Sequence, residues 1–253
     1  MAALPPSHLS PSLLEALTAV FAANGVDPRA WALGFARAMP AVTLVPAFGL
    51  SAVPPQTRLT LGLALGLCIA PALAGEVTRG GPFLLALARE AFVGLPVALL
   101  ASLSIYVAAM AGGLVDDLRG GRESVTLPAL PEQLPPVAVL FSLLASIAFL
   151  ETGGAARVAS ALGSPLLSPR FSWSAVAQAF AGSVELAFAI AAPLAVASVL
   201  LEAASALIAR SASPAFVGPV LAPLKSVALL GILALVFERI SELLVLVAQS
   251  PMR

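Results

Sequence analysis

The sequence predicts an all-α fold, a polytopic membrane-type helical protein with long, kinked helices and helical hairpins. Hydrophobic residues make up 60% of the chain and charged residues only 10%, and the mean hydropathy is +1.02. A soluble domain carries about a quarter charged residues, so this chain cannot cover a water-facing surface. Its apolar residues form runs near the ~20 residues that a membrane-spanning helix needs, and prolines interrupt several of them.

The N-terminal segment, residues 1–25, is predicted to form a short amphipathic helix that lies along a surface or packs on a partner. Ser10 followed by Pro11 is a helix-start signal, and Gly25 is a helix-end signal. Apolar residues recur between them at helical spacing, at Leu13, Leu14, Leu17 and Phe21.

Six further runs are candidate membrane spans: 31–50, 59–75, 82–111, 137–151, 173–209 and 220–248. The fourth is too short to span comfortably. As one helix, the fifth would be about 55 Å long against a hydrocarbon core of ~30 Å. Pro193 lies inside it and removes a backbone donor, so we expect a helical hairpin or a strong kink there.

A polar island, residues 112–136, separates the third run from the fourth. It contains six charged side chains and is rich in glycine and proline. The pair Gly112-Gly113 is predicted to end the third helix, and Pro135-Pro136 to precede the next one. Such a loop cannot sit in lipid, so it marks where the protein meets water, a partner or a passing substrate.

Several charged residues fall inside the apolar runs, among them Arg37, Glu90, Glu185, Glu202 and Glu238. Each costs roughly 2–3 kcal/mol or more in hydrocarbon, so they should face a bundle interior, a subunit interface or a wet cavity. They could form a proton or ion path, or they could pair between helices. Pairing is favoured, because no Asp/Glu/His relay spacing is visible and the runs contain no histidine. If the loops alternate between the two sides of the membrane, their Lys and Arg residues, counting Lys225, divide five against five, which suggests shielding by partner subunits.

Composition argues against several other functions. The net charge is zero, whereas nucleic-acid binding needs clustered Lys and Arg, so we expect no nucleic-acid partner. His8 and Cys68 are the only residues of their types, which disfavours a metal site. No phosphate-binding glycine motif and no nucleophile–base pair is evident, so we expect neither an enzyme nor a cofactor.

Ordered motifs cover the chain from about residue 30 to 240. The first set is Arg37, Pro46-Ala-Phe-Gly49, Val53-Pro54, Arg58 and Pro71. This pattern resembles the FliR/SctT family, an inner component of the export apparatus of flagella and type III secretion injectisomes. The resemblance continues through Glu90 to Gly94, the Gly112–Gly120 stretch, Phe149 to Gly154, Arg210, Pro214 and Pro223-Leu-Lys225.

Some positions depart from the family pattern. Arg210 and Pro214 are separated by one residue more than usual, and Pro214-Ala-Phe-Val replaces the expected "P-Q-x-N" run. The Asp-Gln dipeptide common before Arg-Gly is absent. Arg119-Gly120 looks more like the injectisome branch, while residues 126–136 depart from the pattern and are interpreted as connecting loop.

The resemblance implies that residues 1–253 form one export-gate subunit in the bacterial inner membrane, within the secretion basal body. It would assemble with FliP/SctR-type and FliQ/SctS-type subunits, and with FlhB/SctU-type and FlhA/SctV-type proteins, around unfolded secreted proteins in transit. It also implies that the polar island helps plug the closed pore, through Gly112, Gly113, Asp116, Asp117, Arg119, Gly120, Gly121 and Arg122. The polar residues expected at interhelical or subunit interfaces are Arg37, Arg58, Glu90, Glu185, Glu202, Arg210, Lys225 and Glu238.

The alternative function is a stand-alone small-molecule or ion transporter, with Glu90, Glu185 and Glu202 as coupling groups. Broken helices and midplane charges fit that class too. Against it, no inverted repeat is apparent, and the even division of loop charges is unusual.

Overall fold

The computed structural model describes residues 21, 25, 27–48, 54–77, 82–121, 124–125, 134–164, 172–211 and 214–249. The helices of this part are α1 (Pro28–Leu44), α2 (Pro55–Val77), α3 (Phe83–Arg119), α4 (Pro136–Glu151), α5 (Gly154–Leu162), α6 (Trp173–Ser211) and α7 (Pro214–Gln249). No strand occurs in it, and its β structure is the isolated bridge between Val125 and Leu134. The all-α prediction is confirmed. The predicted helix of residues 1–25 lies largely outside the described residues.

Three helices are long and apolar enough to cross a membrane: α2 over Pro55–Gly75, α3 and α6. The pair α4 and α5 passes the same test together and bends by 66° between them, which makes a fourth candidate. Across the described ranges this is fewer than the six spans predicted. The first run is one reason, because α1 has only 17 residues, fewer than the ~20 that span a bilayer.

Prolines inside the helices do not end them. Pro71, Pro96 and Pro193 lie within α2, α3 and α6, each of which continues past its proline. Of the two alternatives predicted for the fifth run, a hairpin or a strong kink, the hairpin is therefore wrong. The helical hairpin lies instead between α6 and α7, which pack against each other and are joined by residues 212–213.

Helix α3 ends later in the chain than the sequence predicted. This helix runs through Gly112 and Gly113 to Arg119, so the glycine pair does not end it. Its end lies at Gly120, which has φ +71°, a left-handed conformation that glycine adopts without steric cost. The first eight residues of the polar island, 112–119, are thus helix rather than loop.

Helix α3 forms the centre of the fold and packs against α1, α4, α6 and α7. Two buried apolar clusters share it. One joins the first half of α3 to α1, α2, α5 and the end of α4 around Phe149. The other joins its second half to α4, α6 and α7 around Phe141 and Leu194. Of the charged residues of the polar island, Asp116, Asp117 and Arg119 lie at the C-terminal end of this central helix.

Candidate functional site

The base of the loop between α3 and α4 is held by one buried side chain, that of Asp116. This residue lies in the last turn of α3 and is 1% exposed. Its Oδ2 atom accepts hydrogen bonds from the backbone amides of Val137 (2.8 Å) and Ala138 (3.3 Å). Its Oδ1 atom accepts one from Nε of Arg119 at 2.7 Å. A carboxylate at the end of one helix therefore binds the start of the next.

The sequence at the start of α4 explains why that carboxylate is needed. The first amides of any helix have no partner within the helix. A Ser, Thr, Asp or Asn at the N-cap usually accepts from them, but the N-cap here is Pro135, which makes no side-chain cap. Asp116 supplies the missing acceptor from α3, and its negative charge also interacts favourably with the positive end of the α4 dipole.

Backbone hydrogen bonds close the same base. The carbonyl oxygen of Asp116 accepts from the amide of Gly121 at 3.1 Å, and the amide of Val125 donates to the carbonyl of Leu134 at 3.0 Å. We call this arrangement the loop neck: residues 116–121, Val125 and residues 134–138. Within the loop neck, Asp116 accepts hydrogen bonds from both ends of the connection between α3 and α4: from Gly121 at its start, and from Val137 and Ala138 just after its end.

Gly112 allows the two helices of the neck to approach each other. A Cβ atom at this position would lie 2.5 Å from the carbonyl oxygen of Val137 and 2.6 Å from Cα of Ala138. A Cβ at Gly113 would meet nothing within 4 Å. Only the first glycine of the pair is therefore required by packing, as small residues are where helix backbones approach closely.

The eight residues predicted for the plug have different positions. Gly112, Gly113, Asp116, Asp117 and Arg119 belong to α3, and Gly120 and Gly121 begin the loop. Asp116 is buried, whereas Asp117 is exposed. Arg122 lies outside the described residues, as do residues 126–133. The interpretation of the whole stretch as a flexible loop is wrong for its helical part.

A second charged site ties the first half of the bundle together. Nε of Arg37 in α1 donates to Oε2 of Glu90 in α3 at 2.7 Å, and both side chains are buried. Nη1 of Arg37 donates to the carbonyl oxygens of Leu162 and Ser164, at 3.1 Å each, at the end of α5. A Cβ at Gly94 would overlap the carbonyl oxygen of Arg37, so that glycine lets α1 and α3 approach. Arg37 and Glu90, two motif positions that are distant in the sequence, are thus in direct contact.

The other predicted interface residues are more exposed. Lys225 in α7 forms an ion pair with Glu202 in α6, whose side chain is 62% exposed. Arg58 in α2 is partly buried. Glu185, Arg210 and Glu238 lie on exposed helix surfaces of α6 and α7. Among the residues described, no cluster of His, Cys, Asp or Glu could hold a metal ion.

Sequence reasoning missed the partners of these charges: the amides of Val137 and Ala138, and the carbonyls of Leu162 and Ser164. A signal for the first existed. Pro135-Pro136 predicts a helix start that lacks its own side-chain acceptor, and Asp116 is a carboxylate near the end of the preceding helix. No sequence signal pointed to the carbonyls, because any residue supplies one.

The comparison with family models decides the family. The model described as bacterial export proteins, family 1, matches residues 29–249. The chain belongs to this family. The resemblance to FliR/SctT proteins drawn from the ordered motifs is confirmed by this match. No curated protein matches the chain.

Membership of the family 1 export proteins makes this chain a membrane component of bacterial protein export. Its motif residues can now be given physical roles within the fold. Arg37, Glu90 and Gly94 join α1 to α3, and Gly112 and Asp116 join α3 to α4. The family pattern therefore coincides with the contacts that hold neighbouring helices against the central one.

Proposed function

We propose that this chain is a structural and gating subunit of a type III export channel, and that its loop after α3 helps close the pore. In this proposal residues 1–253 form one domain that assembles with FliP/SctR-type and FliQ/SctS-type subunits in the bacterial inner membrane, within the secretion basal body. FlhB/SctU-type and FlhA/SctV-type proteins adjoin it, and unfolded secreted proteins pass through. The chain serves assembly and gating rather than catalysis.

The observation that carries the gating role is the loop neck. A segment that closes a channel must keep its position in order to block the passage of unfolded polypeptide and small ions. The neck supplies that support, because Asp116 binds the start of α4 while its backbone binds Gly121. The loop is thus anchored on two helices that belong to one buried apolar cluster.

A neck-sparing deletion tests the proposal. Replacing residues 126–133 by two glycines keeps Val125, Leu134 and Asp116, and a two-residue connection suits paired extended segments. Deleting 115–131 would instead remove Asp116 itself, so it would confound loop loss with helix damage. We expect the shortened variant to assemble with its partners and to admit small dyes and ions through the resting channel. A control variant with eight Gly and Ser residues at 126–133 keeps the length and alters only the chemistry.

The result that would overturn the gating role is a shortened variant that assembles at wild-type yield and remains as impermeable as wild type. The same strains report on assembly separately, by recovery of the partner subunits. A leak without loss of partners supports a plug. Loss of partners without a leak assigns the loop to assembly instead.

The transporter alternative needs free coupling carboxylates. Glu90 is bound to Arg37, and Glu202 to Lys225, so two of the three proposed groups are already paired with a cation. Purification of the chain alone distinguishes the two functions. A transporter is expected as a stable monomer or symmetric oligomer, whereas a gate subunit is expected to be stable only with its partner chains.

A further inference from the structure

One acidic residue in the apolar part of α6 has no counter-charge. Glu185 lies on the exposed side of that helix. Within the described residues, the side chain of Glu185 forms no ion pair and no hydrogen bond. The exposed residues around it are apolar, among them Val184 (39% exposed) and Phe188 (59%). A carboxylate thus stands alone on an uncovered hydrophobic helix face.

No placement of α6 across a membrane leaves both of its carboxylates, Glu185 and Glu202, outside the spanning segment. The helix runs from Trp173 to Ser211, and the uncharged stretch between Glu185 and Glu202, residues 186–201, is shorter than the ~20 residues needed to cross a bilayer. Every window of that length in α6 therefore contains Glu185 or Glu202. Glu202 is compensated by Lys225. Glu185 has no such cation, so any placement of α6 that keeps Glu185 within the hydrocarbon core leaves its charge uncompensated, which is unfavourable.

We infer that the face of α6 around Glu185 docks an apolar helix of another export-apparatus subunit, and that this helix carries an Arg or Lys facing Glu185. The inference rests on the proposed assembly and names the chemistry of one of its interfaces. Charge complementarity selects this occupant. Lipid offers no counter-charge inside the hydrocarbon core. A second copy packed symmetrically on the same face would bring two Glu185 side chains together, and like charges repel.

The shape of the face suits a helix. Ala181, Gly182 and Ala189 are exposed within a turn or so of Glu185, and a Cβ added at Gly182 would meet nothing within 4 Å. Small side chains let a second helix backbone approach closely. A partner helix can therefore bring its cation to Glu185 while its own apolar residues cover Phe188.

Charge reversal tests this interface in the complete complex. The chain is co-expressed with the other export-apparatus subunits and purified through a tag. We expect Glu185→Lys to lower the ratio of recovered partner to this chain at least about tenfold, and Glu185→Gln to lower it less. The matched control is Glu242→Lys. Glu242 is also exposed, but its cation is Arg239 in the same helix, at 3.0 Å, so we expect partner recovery to stay within about twofold.

A second measurement covers the case in which the reversed variant does not fold. A photo-crosslinking amino acid at Ala189, in a chain that keeps Glu185, should form an adduct with an apolar partner segment containing Arg or Lys within one helical turn. Replacing that cation by Glu should then restore assembly with Glu185→Lys.

Unchanged recovery with Glu185→Lys, or adducts that map to lipid, to a second copy or to a segment without a cation, would overturn the inference. A negative result in these interface experiments does not contradict the gating role, which is tested by dye entry. A channel that stays impermeable after loop shortening, in turn, does not contradict the interface at Glu185.

Discussion

Oδ2 of Asp116, in the last turn of α3, lies 2.8 Å from the amide nitrogen of Val137, in the first turn of α4. The two residues are 21 positions apart in the sequence, and this bond is one of those that bring the ends of the connection together. Pro136 at the first position of α4 makes the bond necessary, because the amides that follow it have no acceptor of their own helix. The experiments below follow from this and from the other buried polar contacts.

Replacing Asp116 by Ala should destabilise the assembled protein by about 1–3 kcal/mol, because the amides of Val137 and Ala138 lose their acceptor while buried. The same variant should let small dyes through the resting channel, since the neck then holds the loop less firmly. Thermal melting of the purified complex and dye entry measure the two effects. Asp117→Ala is the control, because the neighbouring Asp117 is exposed. Equal effects at the two aspartates would contradict the role given to the neck.

Gly112→Ala and Gly113→Ala should have opposite effects. A methyl group at 112 would collide with the backbone of Val137 and Ala138, and overpacking of this kind costs about 1–3 kcal/mol. At 113 there is free space, and alanine is favoured over glycine inside a helix by up to ~1 kcal/mol. Melting temperatures of the two variants decide the matter. If both substitutions destabilise alike, the close approach of Gly112 to α4 is not what requires glycine at this position.

Arg37→Met should be strongly destabilising, by about 3–5 kcal/mol, because it leaves the buried carboxylate of Glu90 unpaired. Combining it with Glu90→Leu should recover only part of that loss. The carbonyl oxygens of Leu162 and Ser164 still lack the donor that Arg37 provides. A double-mutant cycle on unfolding in denaturant measures the coupling. Full recovery in the double variant would mean that the contact with the end of α5 contributes nothing.

Lys225→Met should cost at most about 1 kcal/mol, although Lys225 also pairs with a glutamate. Glu202 is 62% exposed, and pairs open to solvent contribute little. Unfolding of the single variant beside Arg37→Met compares the two kinds of pair directly. A loss at Lys225 as large as that at Arg37 would indicate that the α6–α7 pair is covered in the assembly.

The sequence predicted the helical class correctly, because long apolar runs and few charges permit little else, but α5 was not among the predicted runs. It misplaced the end of α3, since Gly112 and Gly113 are common helix-end signals when judged locally. The structure shows that Gly112 is required by a neighbour far along the chain, and no local pattern reveals that neighbour. The hairpin expected at Pro193 does not form for a related reason, because residues of α6 on both sides of Pro193 are buried against its neighbours.

The candidate site was predicted only in part. Arg37 was selected because a charge in an apolar run is costly, and Asp116 because it lies in the polar island and carries part of the family resemblance. Their partners are mostly backbone atoms, which carry no sequence signature. The different environments of Asp116 and Asp117 likewise could not be separated, because adjacent residues on a helix point about 100° apart and only the packing decides which one is buried.

Helix α3 contributes to both apolar clusters and is continuous over its 37 residues, about 55 Å. A force applied at the Arg37–Glu90 end is therefore transmitted along one stiff rod to the Asp116 end. The two halves of the bundle cannot rotate independently without bending this rod or breaking one of its charged contacts. A rearrangement around the Arg37–Glu90 contact is therefore coupled, through this one helix, to the position of Asp116 at its other end.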